Sequence, residues 1–214
     1  TVTMPFSGGD NWTQQSYVPH YDKTLWLENG KEIAVPEGFY SSKFIVDKAI
    51  QQLENNQKNH QEQRKPFFSF VSFLAVHIPV QAPKEFTEKY IGSYRDGWHA
   101  LRKNRQNAVK DLGLIPANAS MKRMAATDDW DDLSEEEKRY SDKRMSVYAG
   151  MVDAMDHHIG RLIQYLKESG QYDNTVIIFT SDNGPAAGDV PLLWINALGY
   201  NRDYETLGER YSYG

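Results

Sequence analysis

The chain has 214 residues, of which 40% are hydrophobic and 13% aromatic, enough for one sizeable domain or for part of a larger one. Its formal net charge of −5 gives no reason to expect nucleic acid or an anionic membrane as a partner. No apolar run reaches transmembrane length, and the first residues lack the basic and apolar regions of a signal peptide. The absence of cysteine excludes disulfides, thiolate metal sites and cysteine nucleophiles within this sequence.

The first forty residues are predicted to be mostly loop, apart from one short hairpin. The hairpin is expected between residues 25–27 and 32–35, because Asn29-Gly30 is a common two-residue turn. Residues 42–56 follow as a predicted helix, because their apolar side chains recur at helical spacing. These side chains belong to Phe44, Ile45, Ala49, Ile50 and Leu53.

Residues 66–75 are apolar almost without interruption, which predicts a strand buried on both faces of a parallel sheet. The turn that follows contains Pro79 and Pro83, which stop regular structure. His77 therefore stands at the end of the predicted strand. Its imidazole can donate a hydrogen bond to an anionic substrate or a proton to a leaving group. A purely structural role is also common for a histidine in such a turn.

Three helices are predicted next, over residues 84–90, 97–112 and from Ser134 to just before Gly170. Ser134 and Glu137 have the spacing of a capping box, and Gly170 is a typical helix stop. The last helix carries a continuous apolar stripe, which predicts core packing. The stripe consists of Met145, Tyr148, Val152, Met155, Ile159, Leu162 and Leu166. Asp156-His157-His158 is a poor metal site, because adjacent helical residues point in different directions.

Val176–Phe179, rich in β-branched residues, is predicted to be a second buried parallel strand. With the first strand and the helices between them it forms a βαβ arrangement, hence an α/β fold with a mostly parallel sheet flanked by helices. Asp182 and Asn183 follow this strand, where ligands bind in open α/β sheets. Their oxygens suit Ca²⁺ or Mg²⁺, although an ordinary Asx-rich turn is the more common explanation of such residues. His77 and Asp182 are expected at one edge of the sheet.

Several motifs together resemble the sulfatase family. They are Glu37-Gly-Phe-Tyr-Ser41, Pro66-Phe-Phe with Val76-His-Ile-Pro-Val-Gln-Ala-Pro83, Tyr148-Ala-Gly-Met-Val-Asp-Ala-Met-Asp156 with Ile159-Gly-Arg161, Asp173-Asn-Thr, and Ser181-Asp-Asn-Gly184. The resemblance covers nearly the whole chain and is closest to bacterial arylsulfatases of the alkaline-phosphatase-like superfamily. It implies a three-layer α/β sandwich and hydrolysis of sulfate esters. It also implies Ca²⁺, rather than Mg²⁺, and a formylglycine nucleophile made from an active-site Cys or Ser.

Residue by residue, the resemblance assigns three positions. Asp182 and Asn183 match the two metal ligands of the Asp-Asn-Gly motif. His77 matches the histidine that contacts the sulfate ester and assists the leaving oxygen, which makes it both a catalytic and a substrate-binding candidate. Three expected features are absent: the Cys/Ser-x-Pro-x-Arg segment that becomes formylglycine, an early pair of aspartates, and a Gly-Lys-x-x-His segment.

These departures imply that residues 1–214 form the central part of a single sulfatase domain, inactive by itself. In the full-length protein we expect arylsulfatase-type hydrolysis of a small-molecule sulfate ester. The alternatives are a related phosphoesterase or phosphonate hydrolase, and a noncatalytic binding module. The resemblance further implies a periplasmic or secreted location. The sequence leaves the natural substrate and the oligomeric state open.

Overall fold

The fold is known from a computed structural model that describes residues 2–3, 25–59, 65–122, 129–184 and 204–208. Its sheet in these ranges has three short antiparallel strands in the order β1 (Val2–Thr3), β2 (Trp26–Glu28) and β3 (Lys31–Ile33). Asn29 and Gly30 join β2 to β3 with φ angles of 52° and 78°. Positive φ at both positions is what a tight hairpin turn of this length favours. The predicted hairpin is confirmed.

The predicted helices are all present, with ends close to those expected. They are α1 (Ser41–Asn59), α2 (Lys84–Thr87), α3 (Gly97–Asp111) and α4 (Glu135–Glu168). A 3₁₀ turn over Glu88–Tyr90 continues α2, and two others occupy Trp130–Asp132 and Tyr172–Asn174. The helix α1 runs three residues beyond its predicted end.

Both ends of the 34-residue helix α4 follow from local chemistry. The Ser134 hydroxyl accepts a hydrogen bond from the Glu137 amide at 3.2 Å, and Glu137 Oε2 accepts one from the Ser134 amide at 2.8 Å. This is the predicted capping box, and it satisfies two amides at the open end of the helix. At the other end Gly170 has a φ of 67°, a conformation that glycine adopts without steric cost.

The buried face of α4 differs from the predicted stripe. Val147, Met151, Ala154 and His158 form the buried line, whereas Val152 of the predicted stripe is 41% exposed. Of that stripe, Leu166 is fully buried and the remaining members are half-buried. The helix packs closely against α2, where a Cβ on Gly150 would lie 3.0 Å from the Thr87 Cα. Small residues thus determine which side of α4 faces its neighbours, whereas the stripe was predicted from large apolar residues.

One hydrophobic cluster joins α4 to the segment around His77. We call it the Met151 cluster, and it consists of Val80, Ala82, Val147, Met151 and Leu207. A second cluster packs Trp26 of the hairpin against Phe39 and Phe44. The Met151 cluster is the part of the core that bears on the candidate site.

The burial predicted for the two parallel strands is wrong for this chain. Phe68 is 93% exposed and Phe70 84%, and in the other segment Val176 is 88% exposed and Ile178 82%. Neither segment pairs with a strand in the described ranges. A strand is buried on both faces only when neighbouring strands and covering helices are all present. The mostly parallel sheet is therefore unconfirmed, and the sheet that is present is antiparallel.

Among the helices of the described ranges, none combines the length and the apolar character needed to cross a membrane.

Candidate functional site

His77 lies in a turn that follows residues 66–75. Its amide donates to the Leu74 carbonyl at 2.9 Å, and its ring Nδ1 lies 2.7 Å from the Ile78 carbonyl oxygen. Because a carbonyl oxygen only accepts, this contact places a proton on Nδ1. The residue is exposed, as a group that meets a substrate must be.

The turn is held from behind by residues that are fully buried. Pro79 and Gln81 are inaccessible to solvent, and Val76 and Ile78, on either side of His77, pack against the Met151 cluster. The Gln81 amide donates to the sulfur of Met151 at 3.3 Å, and the Tyr40 hydroxyl donates to the Gln81 carbonyl at 3.2 Å. Burial raises the pKa of Tyr40, which keeps its hydroxyl protonated and able to donate.

A third hydrogen bond fixes the same strip of backbone. The Ala82 amide donates to the Gly208 carbonyl at 3.2 Å, and Gly208 approaches α4 so closely that a Cβ there would lie 2.9 Å from a Val147 methyl carbon. His77 is therefore an exposed imidazole on a rigidly supported turn. The sequence predicted the turn from its prolines, but nothing in the sequence indicated Tyr40, Met151 or Gly208 as its supports.

Asp182 and Asn183 lie in an exposed turn after residues 175–180. The Asn183 amide donates to Asp182 Oδ1 at 3.0 Å, and the Asn183 side-chain nitrogen donates to the Gly184 carbonyl at 2.6 Å. Ser181 closes the turn by donating to the Asn183 carbonyl at 2.6 Å. These three contacts form a local hydrogen-bond arrangement within residues 181–184. It leaves Asp182 Oδ2 and Asn183 Oδ1 without a partner in that turn.

The donor set at this turn suits a hard cation but is incomplete. Carboxylate and carboxamide oxygens are ligands that Ca²⁺ accepts, although it takes six to eight of them. In the described ranges no group of three or more His, Asp or Glu side chains is arranged to hold a metal ion. Within the same ranges no hydrogen bond joins Asp182 to His77, so the predicted convergence of the two stays a prediction.

A second histidine site, which the sequence did not predict, lies on the buried face of α4. His158 is 7% exposed and packs near Phe86 and His157, at a pocket of about 410 Å³ that Tyr40 also lines. Burial, followed by the positive charge of Arg161, lowers the pKa of His158 from 6.5 to about 4. The spacing of His158 from Met151 and Ala154 places all three residues on one helical face. That spacing is the feature of the sequence from which the burial of His158 could have been predicted.

The comparison with family models decides what kind of protein this is. A model described as Sulfatase matches residues 5–206, which is nearly the whole chain. The chain belongs to the sulfatase family. The resemblance drawn from the motifs is thereby confirmed, and the alkaline-phosphatase-like superfamily is consistent with it.

Individual sulfatases and related enzymes agree with that assignment. An uncharacterized sulfatase of Schizosaccharomyces pombe is 48% identical over 72% of this chain and 27% of its own length. An arylsulfatase of Klebsiella aerogenes is 30% identical over 89% of this chain and 40% of its own. A multifunctional alkaline phosphatase superfamily protein, PehA of Trinickia caryophylli, is 26% identical over 90% of this chain and 38% of its own. The chain thus spans well under half the length of these relatives.

Proposed function

We propose that the full-length protein hydrolyses sulfate esters, and that this chain is the central part of its catalytic domain. The observation that carries the proposal is the family match over residues 5–206. The name of the Klebsiella relative, an arylsulfatase, supports aryl sulfates as the first substrates to test. An α/β sandwich with a mostly parallel sheet belongs to the same proposal, as does a periplasmic or secreted location.

His77 is proposed to act on the bridging oxygen of the ester. With Nδ1 held as a donor by the Ile78 carbonyl, a protonated Nε2 donates to the oxygen on which negative charge develops as the sulfur–oxygen bond breaks. The position on a supported turn favours this role, because a donor held in place needs no reorganisation during the reaction. Nε2 then takes a new proton from solvent before the next turnover.

Asp182 and Asn183 are proposed to hold part of a Ca²⁺ site, through Asp182 Oδ2 and Asn183 Oδ1. When bound, the ion supplies a fixed positive charge for sulfate oxygens. The Asn183 amide, which donates to Asp182 Oδ1, orients the carboxylate for that task. The formylglycine nucleophile is expected outside this chain.

A test of this proposal uses the full-length protein with 4-nitrophenyl sulfate and added Ca²⁺. We expect turnover, a loss of about 100-fold or more for His77→Ala, and a raised Ca²⁺ requirement for Asp182→Ala and Asn183→Ala. His99→Ala and Asp111→Ala are matched controls, because both residues are remote from the two turns in sequence and lie on α3. Full activity of the His77, Asp182 and Asn183 variants would refute the assignments.

A related phosphoesterase or phosphonate hydrolase is the second candidate, and the name of the Trinickia relative favours its inclusion. The assay therefore runs 4-nitrophenyl phosphate and a phosphonate monoester beside the sulfate. A higher kcat/KM for either phosphorus ester would replace the sulfatase assignment. No turnover of any ester by the intact protein would instead support a noncatalytic binding module.

A further inference from the structure

We infer that Tyr40 and Met151 are positioning residues that hold the His77 turn in place through Gln81. This inference rests on the proposed role of His77 in ester hydrolysis. Tyr40 immediately precedes α1, and Met151 lies in the middle of α4. Gln81, four residues after His77, accepts from the first and donates to the second. Both hydrogen bonds are made by its backbone, so they fix the course of the chain itself.

The geometry of the turn transmits this anchoring to His77. Pro79 and Gln81 are fully buried and Val80 is 5% exposed, so the strip behind His77 has no freedom to shift without opening the core. The Ile78 carbonyl, which holds the ring through Nδ1, belongs to the residue directly before this buried strip. Moving Gln81 therefore moves the group that orients the imidazole.

Each anchor is chemically specific, which distinguishes positioning from simple filling of space. Tyr40 is 3% exposed and its hydroxyl reaches the Gln81 carbonyl, whereas a phenylalanine would fill the same volume and leave that buried carbonyl without this donor. Met151 is 0% exposed and offers its sulfur to the Gln81 amide, which a leucine of similar size lacks. Tyr40→Phe therefore removes the hydroxyl donor, and Met151→Leu removes the sulfur acceptor, while each keeps a side chain of similar size.

The test measures turnover of 4-nitrophenyl sulfate by the full-length protein, together with backbone hydrogen exchange of residues 76–82. We expect Tyr40→Phe and Met151→Leu each to lower kcat about tenfold with KM within twofold, since a small displacement of a catalytic group is costly. Exchange of the amides in the turn should rise in both variants. Matched controls are Tyr165→Phe, whose hydroxyl contacts Gln57, and Met155→Leu, on the half-buried side of α4. They should change neither quantity.

The same substitutions placed in a His77→Ala background separate positioning from general damage. If Tyr40 and Met151 act through His77, they cause no further loss there; an equal further loss would overturn the inference. Unchanged exchange of residues 76–82 would also overturn it, whatever the turnover. Full activity of His77→Ala alone would refute the proposed function of His77 and the catalytic consequence with it, while increased exchange would still identify Tyr40 and Met151 as anchors of the turn.

Discussion

Arg161 on α4 donates a 2.6 Å hydrogen bond to Oδ1 of Asp47 on α1. A second guanidinium nitrogen of Arg161 lies 3.2 Å from Nδ1 of His158, which must accept because a guanidinium only donates. The other carboxylate oxygen of Asp47, Oδ2, accepts a hydrogen bond from the Lys43 ammonium group. Burial acts to raise the pKa of Asp47, but the bonds from Lys43 and Arg161 outweigh it and the pKa lies below 3.8. Two helices far apart in sequence are thus joined by one side chain.

Replacing Arg161 should measurably lower the free energy of unfolding of the chain. Arg161→Met removes the charged hydrogen bond to Asp47, and we expect a loss of about 1 kcal/mol, because both partners are about one-third exposed. The melting temperature should fall by about 2–4 °C for a chain of this size. Thermal unfolding followed by circular dichroism measures it.

The control for that substitution is Lys84→Met. Lys84 pairs with Glu88 at 3.5 Å, but the two side chains are 82% and 62% exposed, so solvent screens their attraction. Its effect should stay within about 0.5 kcal/mol. An equal loss for Lys84→Met and Arg161→Met would contradict a special contribution of the contact between α1 and α4.

The stability of the chain should fall as the pH drops from about 6.5 to about 4. The pKa of His158 is lowered to about 4 in the folded chain, whereas an unfolded histidine titrates near 6.5. Between these values the unfolded state binds more protons, so stability present above pH 6.5 is lost as the pH falls to about 4. We expect a loss of roughly 2 kcal/mol between pH 7.5 and 5.

Unfolding midpoints recorded across this pH range test the assignment to His158. His158→Gln should flatten the slope, and His157→Gln, on the exposed side of the same helix, should leave it unchanged. A slope that survives in His158→Gln would assign the proton uptake to another group.

Two glycines, Gly97 at the start of α3 and Gly113 just beyond its end, separate backbone strain from steric contact. Gly97 and Gly113 both have positive φ, 80° and 69°, but a Cβ on Gly97 would lie 2.5 Å from Cγ of Trp130 and one on Gly113 would meet nothing within 4 Å. Gly113→Ala should therefore cost about 1 kcal/mol, and Gly97→Ala about 3 kcal/mol or more. Chemical denaturation measures both, and equal costs would mean that Trp130 moves aside freely.

Helix positions could be predicted because their signals are local. Ser134, Glu137 and Gly170 form contacts within a few residues, and each does in the structure what its type and spacing indicate. The orientation of α4 could not be predicted in the same way. Gly150 and Ala154 place the neighbouring elements close to one side, and the choice of side depends on residues distant in sequence.

The candidate site likewise combines features that neighbouring residues predict with features that depend on residues distant in sequence. The turn around His77 follows from Pro79 and Pro83, which act on their own neighbours. The supports of that turn come from Tyr40 and Met151, and neither residue has a pattern that points to Gln81. The burial predicted for the two strands is wrong for a related reason. An apolar run indicates that a segment tends to be buried, but the elements that would bury it lie elsewhere in the protein.

The exposed apolar segments should make the 214-residue chain self-associate. Phe68→Lys and Val176→Lys put a charge on segments that are now 93% and 88% exposed at these positions, and we expect less association in sedimentation velocity at micromolar concentration. Leu112→Lys, at a position 72% exposed just after α3, is the control and should have little effect.

In the full-length protein the same two substitutions should instead lower the thermal stability. If the two segments are strands of a covered sheet, a lysine at either position loses burial and lowers the melting temperature by several degrees. Unchanged stability of both full-length variants would argue against the predicted parallel sheet. The pair of experiments thus tests the fold without requiring an assay of activity.

The hydrogen bond from the Ala82 amide to the Gly208 carbonyl has a consequence for biosynthesis. The His77 turn leaves the ribosome long before Gly208 does, so this part of its support is missing while the residues between them are synthesised. Contacts between residues so distant in sequence form late, because a long loop must close first. The turn should therefore become fully ordered only after Gly208 has been synthesised, and a stalled polypeptide ending before Leu207 should carry it in an incompletely ordered form.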